Sequence, residues 1–130
     1  MNGNYLLDTS ILIELLRKNH HVLSRLEQIQ TVLLPFVAVG ELYYGAFKSH
    51  RGRQHEDQIR QLVSHCVVLT GDDETGYWYG FIKNRLWRKG QPIPENDIWI
   101  AAIAMQFQLT VATRDKHFLA VDDLRVEMWS

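Results

Sequence analysis

Residues 5–16 read YLLDTSILIELL. Tyr5 to Leu7 is a short apolar run of strand character, and Asp8 interrupts it. From there Ile11, Leu12, Leu15 and Leu16 return at the spacing of one helix face, with Thr9 or Ser10 placed to cap the first turn. A strand that passes directly into a helix is the opening half of a strand–helix–strand unit, so the rest of the chain is expected to repeat the alternation.

It does. Val22, Leu23, Leu26 and Ile29 mark a second helix. Thr31 to Leu34, β-branched and apolar, reads as a second strand ended by Pro35, and FVAVGELYYGAF (36–47) as a helix despite Gly40 and Gly45. Arg51 to His65 is polar with Ile59, Leu62 and Val63 on one side, a surface helix that leads into a strand at Cys66 to Leu69. A long helix starts near Asp72, Asp73 and Glu74, acids suited to a helix N-terminus, and stops at Gly90. Pro94 opens another, whose segment IWIAAIAM is apolar nearly all round and so belongs in the interior. Leu109 to Ala112 is a strand, and Arg125 to Met128 a last one. Strands alternating with helices imply right-handed crossovers, a mostly parallel central sheet and a three-layer α/β/α sandwich.

A chain of 130 residues, 46% of them apolar, can bury the core of a single domain, and neither repeats nor linker-like tracts divide it. Asp8 and Glu14 interrupt the N-terminal apolar residues, so a signal peptide or membrane span is not expected and the protein is placed in the cytoplasm. Cys66, the only cysteine, sits among Val67, Val68 and Leu69 and reads as a small apolar residue rather than a nucleophile. With a formal net charge of −1, binding to nucleic acid would rest on local basic clusters: Lys48, Arg51 and Arg53; Arg85, Arg88 and Lys89; or Arg114 and Lys116.

In an open parallel sheet, ligands bind beyond the carboxyl ends of the strands. Asp8 ends the first strand and Asp115 follows the fourth by a few residues, so both lie at one sheet edge. Asp97 lies in the first turn of the apolar helix. Glu41 stands amid FVAVGELYYGAF, with Val37, Ala38 and Gly45 as small neighbours that could let its face approach the sheet. Taken singly, Asp8 and Asp115 also suit helix caps and Asp97 suits a helix dipole. Taken together, four carboxylates repel: two unit charges about 4 Å apart cost roughly 4 kcal/mol at an effective dielectric near 20, and a bound cation removes that cost. Oxygen ligation favours Mg²⁺ or Mn²⁺. The six histidines offer no pair with convincing metal spacing, since His20 and His21 are adjacent and His50 and His55 lie five apart.

LLDTSILIELL (6–16), ELYYGA (41–46), IPENDIWIAAIA (93–104), LTVATRDKHF (109–118) and VEMW (126–129), in that order and spacing, resemble the PIN-domain family, most of all its VapC-type toxins. The resemblance implies a ribonuclease in which Asp8, Glu41, Asp97 and Asp115 are catalytic. Asp8, Asp97 and Asp115 would hold Mg²⁺, for which Mn²⁺ may substitute, and Ser10 and Thr113 would support the site. It further implies a homodimer, an RNA substrate and a small antitoxin protein that blocks the site. Two departures stand out. Ser10 replaces a frequent asparagine, and Lys116, His117 and Phe118 follow Asp115 without the additional acid some members carry, which leaves the number of metals open. Asp122 and Asp123 read as exposed loop acids. The crowding of Tyr77, Trp78, Tyr79, Phe81 and Trp87 on one helix suggests a protein interface. The competing expectation is a PIN-like binding module without catalysis, which should show gaps in the acidic set; none is present. A receiver domain or aspartate-nucleophile phosphatase fits poorly, because Asp8 is followed by Thr9 and Ser10.

Overall fold

The computed structural model describes residues 4–129. The first unit is β1 (Tyr5–Leu7), α1 (Thr9–Leu16) and α2 (His20–Leu26). The second is β2 (Leu33–Pro35), α3 (Phe36–Lys48) and α4 (Gly52–Ser64), and the third is β3 (Val67–Leu69), α5 (Asp73–Lys89) and α6 (Glu95–Phe107). The chain closes with β4 (Thr110–Thr113), a 3-10 turn at Lys116–Ala120, and β5 (Val126–Met128). The strands form one sheet in the order β3-β2-β1-β4-β5, and all four neighbouring pairs are parallel. The expectation of a mostly parallel three-layer domain is therefore met, with no antiparallel pair among the described residues.

The order explains where a site can form. From β1 the chain steps outward to β2 and β3, and then crosses back to add β4 on the other side of β1. Right-handed crossovers place the helices of the outward steps on one face and α5 and α6 on the other. The direction reverses between β1 and β4, which opens a crevice at their carboxyl ends. Register fixes the two strands tightly, with Leu6 beside Val111 and Leu7 beside Ala112, all four fully buried.

Local chemistry sets the helix ends. Asp72 and Thr75 form a reciprocal capping box at the start of α5, and Gly90, at φ 67°, ends it in the left-handed conformation that costs glycine least. α6 is buried all round at Ile98, Ile100, Ala101, Ala102, Ile103 and Ala104, as IWIAAIAM implied, whereas the amphipathic α4 buries only Ile59. The last strand is real and is followed by a core residue. Trp129 is 1% exposed, stacks at a tilt on Tyr5, and gives its indole N–H to Glu127. Glu127 also accepts from the Tyr5 hydroxyl and the Arg25 guanidinium, so both edges of the β1–β5 region are tied together.

Several expectations need correction. The N-cap of α1 is Asp8, not Thr9 or Ser10: Asp8 has extended backbone and its carboxylate accepts from the Ile11 N–H at 3.1 Å. Pro35 does not merely end β2 but is its last residue, beside Leu69, and also the N-cap of α3, with φ −78° and ψ 137°. Of the three small neighbours of Glu41, Ala38 is fully buried and Val37 half-buried, whereas a Cβ on Gly45 would meet nothing within 4 Å, so that glycine makes no close approach; the helix buries Ala38, Leu42 and Ala46. Cys66 is half-buried rather than a core residue; its thiol, pushed up by burial, donates to the Leu62 carbonyl. None of the described helices is long and apolar enough to cross a membrane.

Candidate active site

Asp8 stands where β1 gives way to α1, at the crevice between β1 and β4, and is only 3% exposed. A carboxylate that deep needs partners. Its Oδ1 accepts from the Ile11 N–H and, at 2.7 Å, from the Ser10 hydroxyl; its Oδ2 accepts from the Thr113 hydroxyl at 2.5 Å. Thr113, fully buried at the end of β4, in turn accepts the Asp115 N–H at 2.8 Å. Ser10 accepts the Arg114 N–H at 2.9 Å. The two supporting hydroxyls thus lock Asp8 to the strand and loop that carry Asp115. Burial pushes the Asp8 carboxyl above the usual range, with the three donors holding it down and the charge of Asp115 adding to the rise.

The other acids reach the same place from separate elements. Glu41, midway along α3, accepts from the Thr9 hydroxyl at 2.5 Å, a partner contributed by α1 rather than by its own helix. Asp97 sits in the first turn of α6. Asp115 caps the 3-10 turn, its Oδ1 accepting the His117 N–H at 2.9 Å. Asp8, Glu41, Asp97 and Asp115 line one open cleft of about 450 Å³, together with Thr9 and Ser10. The acids feel one another: Asp97 is pushed up to about 6, first by burial, then by the negative charges of Asp115 and Asp8, with Glu41 adding to the rise and His117 opposing it.

The histidine is the residue that the spacing of histidine pairs could not find. The His117 Nδ1 lies 2.9 Å from Asp115 Oδ1 and 3.4 Å from Asp97 Oδ2. Ligand atoms of Asp97, Asp115 and His117 all fall within 4.8 Å of one another, closer than any such set including Asp8 or Glu41 among the described residues. Its companions are aspartates, one of them two positions away, so a search for paired histidines passes over it.

The basic clusters divide. Arg85 and Lys89 both pair with the exposed Asp122, and Arg114 pairs with Glu14. Lys48, Arg51 and Arg53, at the α3–α4 corner, are exposed and make no ion pair among the described residues. Along α5, Tyr77 is 59% exposed, Phe81 41% and Trp87 78%, so these aromatics are not core. A second groove, of about 610 Å³, runs between Phe36 and Trp99 and shares Asn96 with the acidic cleft.

The arrangement can be set beside known proteins. The PIN domain family model matches residues 5–124. Ribonuclease VapC1 of Haemophilus influenzae is 30% identical over 131 aligned residues, 97% of this chain and 98% of that protein. Ribonuclease VapC2 of the same species is 34% identical over 128, covering 96% and 97%. In the crystal structure of DNA-bound VapBC from Salmonella typhimurium, a chain 28% identical to this one superposes with a TM-score of 0.92 over 100% of both chains.

Proposed function

The chain belongs to the PIN-domain family, and from that premise we propose that it is a metal-dependent endoribonuclease, the toxin of a toxin–antitoxin pair, with Asp8, Glu41, Asp97 and Asp115 as its catalytic acids. The observation that carries this reading is the convergence of four carboxylates, from the end of β1, from α3, from α6 and from the loop after β4, on one cleft at the point where the order of strand addition reverses. The names of the VapC relatives supply the substrate class, RNA.

The donor set fits a hard divalent ion, Mg²⁺ or Mn²⁺. Asp97 holds its proton to about 6 because it faces other negative charges in a half-buried place, and a cation would relieve that repulsion. Asp97 and Asp115 would hold such an ion, and Asp8, lining the same cleft, would add a third carboxylate. When bound, the ion supplies positive charge that activates a water for attack on a phosphodiester and offsets the charge gathering on the phosphate.

The chain's own groups do the rest. Ser10 and the Ile11 N–H hold Asp8 Oδ1 to the start of α1 and Thr113 holds Oδ2 to the end of β4, so the carboxylate is fixed in one orientation at the cleft. Thr9 fixes Glu41 at the cleft wall, where its carboxylate can orient the attacking water and take up its proton. The open groove between Phe36 and Trp99 gives an unpaired base a flat apolar seat beside the acids, in keeping with cleavage of single-stranded RNA. Lys48, Arg51 and Arg53, and with them Arg88 and Lys116, are exposed and in no ion pair among the described residues, and so are free to meet the phosphate backbone.

The exposed aromatics of α5 suit a homodimer, and the antitoxin is the second partner, blocking the acids in the cytoplasm until it is removed. The test is cleavage of total bacterial RNA by purified, antitoxin-free protein with Mg²⁺ or Mn²⁺, against EDTA and Asp97→Asn controls. Discrete fragments that vanish in both controls are expected. Folded, inhibitor-free protein that cuts nothing with either metal would reduce the chain to a binding module.

A further inference from the structure

We propose that His117 supplies a nitrogen ligand to the ion held by Asp97 and Asp115, and that this ligand tilts the site toward Mn²⁺ over Mg²⁺. The inference rests on the metal-dependent reading above and deepens it. The geometry comes first. In an octahedral sphere with bonds of about 2.1 Å, adjacent ligand atoms stand about 3 Å apart. The His117 Nδ1 stands 2.9 Å from one Asp115 oxygen and 3.4 Å from one Asp97 oxygen, the separations of neighbouring vertices. All three ligand atoms lie within 4.8 Å of one another. One ion can therefore touch all three with little more than side-chain adjustment.

The placement is built into the backbone. Asp115 caps the 3-10 turn by accepting the His117 N–H, which holds residue 117 against the acid it would share a metal with. The next residue, Phe118, is fully buried and anchors the turn in the core. The imidazole itself is half exposed, free to trade its contact with the carboxylates for a contact with an ion. The ordinary alternative is a counter-charge: a histidine that only hydrogen-bonds the two aspartates and leaves when a cation arrives. The two roles make opposite predictions about metal selectivity. Carboxylates and water suit Mg²⁺ and Mn²⁺ alike, whereas an imidazole nitrogen favours transition metals, of which Mn²⁺ is the first in the affinity series.

The experiment uses the full chain, freed of antitoxin and of any histidine tag, loaded with Mn²⁺ below saturation. Pulsed electron paramagnetic resonance then reads nitrogen coupled to the bound ion, and calorimetric titration reads the affinities for Mn²⁺ and Mg²⁺. The wild-type chain is expected to show nitrogen coupling. His117→Ala and His117→Gln, with unchanged circular dichroism, should lose it and bind Mn²⁺ at least about tenfold more weakly, since even the partners that only orient a ligand are worth about that much. Their affinity for Mg²⁺ should move much less. If Mn²⁺ binds, is lost in Asp97→Asn, and shows no nitrogen coupling, or coupling that survives in both His117 variants, this inference falls and the metal-dependent reading stands. If neither ion binds the wild-type chain, both fall together.

Discussion

Removing the charge of Asp97, one of the proposed catalytic acids, should make the metal-free protein more stable. Asp97 is pushed from an ordinary value of 3.8 up to about 6. Between those two values the folded chain binds a proton that the unfolded chain has released, so stability falls as pH rises through this window. The shift of roughly 2 units at about 1.4 kcal/mol each amounts to roughly 3 kcal/mol at neutral pH. Asp97 is 16% exposed, so solvent screens little of this, although the contact with His117 recovers a part. Asp97→Asn keeps the shape and removes the charge. In EDTA at about pH 7.5 it should melt about 5–10 °C above the wild-type chain, taking about 2–4 °C per kcal/mol for a domain near this size. The gain should shrink by about half at pH 5, where the wild-type Asp97 is mostly protonated. With Mn²⁺ at about 100 times its dissociation constant the wild-type chain should recover about 2.7 kcal/mol and the variant little. Thermal melts across pH, with and without metal, read all of this. A variant no more stable than wild type in EDTA, or a gain indifferent to pH, would refute the claim that the acids strain the empty fold.

Thr113→Val leaves the buried Asp8 Oδ2 without its donor and the half-buried Asp115 N–H without its acceptor; chemical denaturation should show a loss of about 1–3 kcal/mol, and RNA cleavage should fall with it. Trp129→Ala empties a fully buried site and frees a Glu127 contact, for an expected loss of about 3–5 kcal/mol on the same assay. Replacing the exposed Phe81 and Trp87 by glutamate should convert a sedimenting dimer into a monomer with unchanged circular dichroism, because neither side chain is core.

The sequence is most readable where order along the chain decides the outcome. Strand, acid and helix in YLLDTSILIELL put Asp8 at the sheet's carboxyl edge, and the same pattern at TVATRD puts Asp115 beside it. Glu41 could be singled out because an acid amid apolar residues demands a reason. Where neighbours compete, the sequence is silent. Asp8, Thr9 and Ser10 can all cap a helix, and the choice among them is made across space: Thr9 is drawn to Glu41 and Ser10 to the Arg114 N–H, which leaves Asp8 as the cap. Gly45 suggested close packing beside Glu41 because small residues often permit it, yet a Cβ there would face open space. His117 was hidden for a similar reason, since its two carboxylate neighbours come from a loop and a different helix.

The brevity of the strands bears on how this protein can be handled. β3 and β5, the two margins of the sheet, have three residues each, about 10 Å of backbone. So little unpaired ladder gives an incoming chain few hydrogen bonds with which to start a stack, even where Val67 is exposed. Precipitation of concentrated, antitoxin-free protein should therefore begin at the aromatic side of α5 and yield to charged substitutions there, without the amyloid dyes registering ordered fibres.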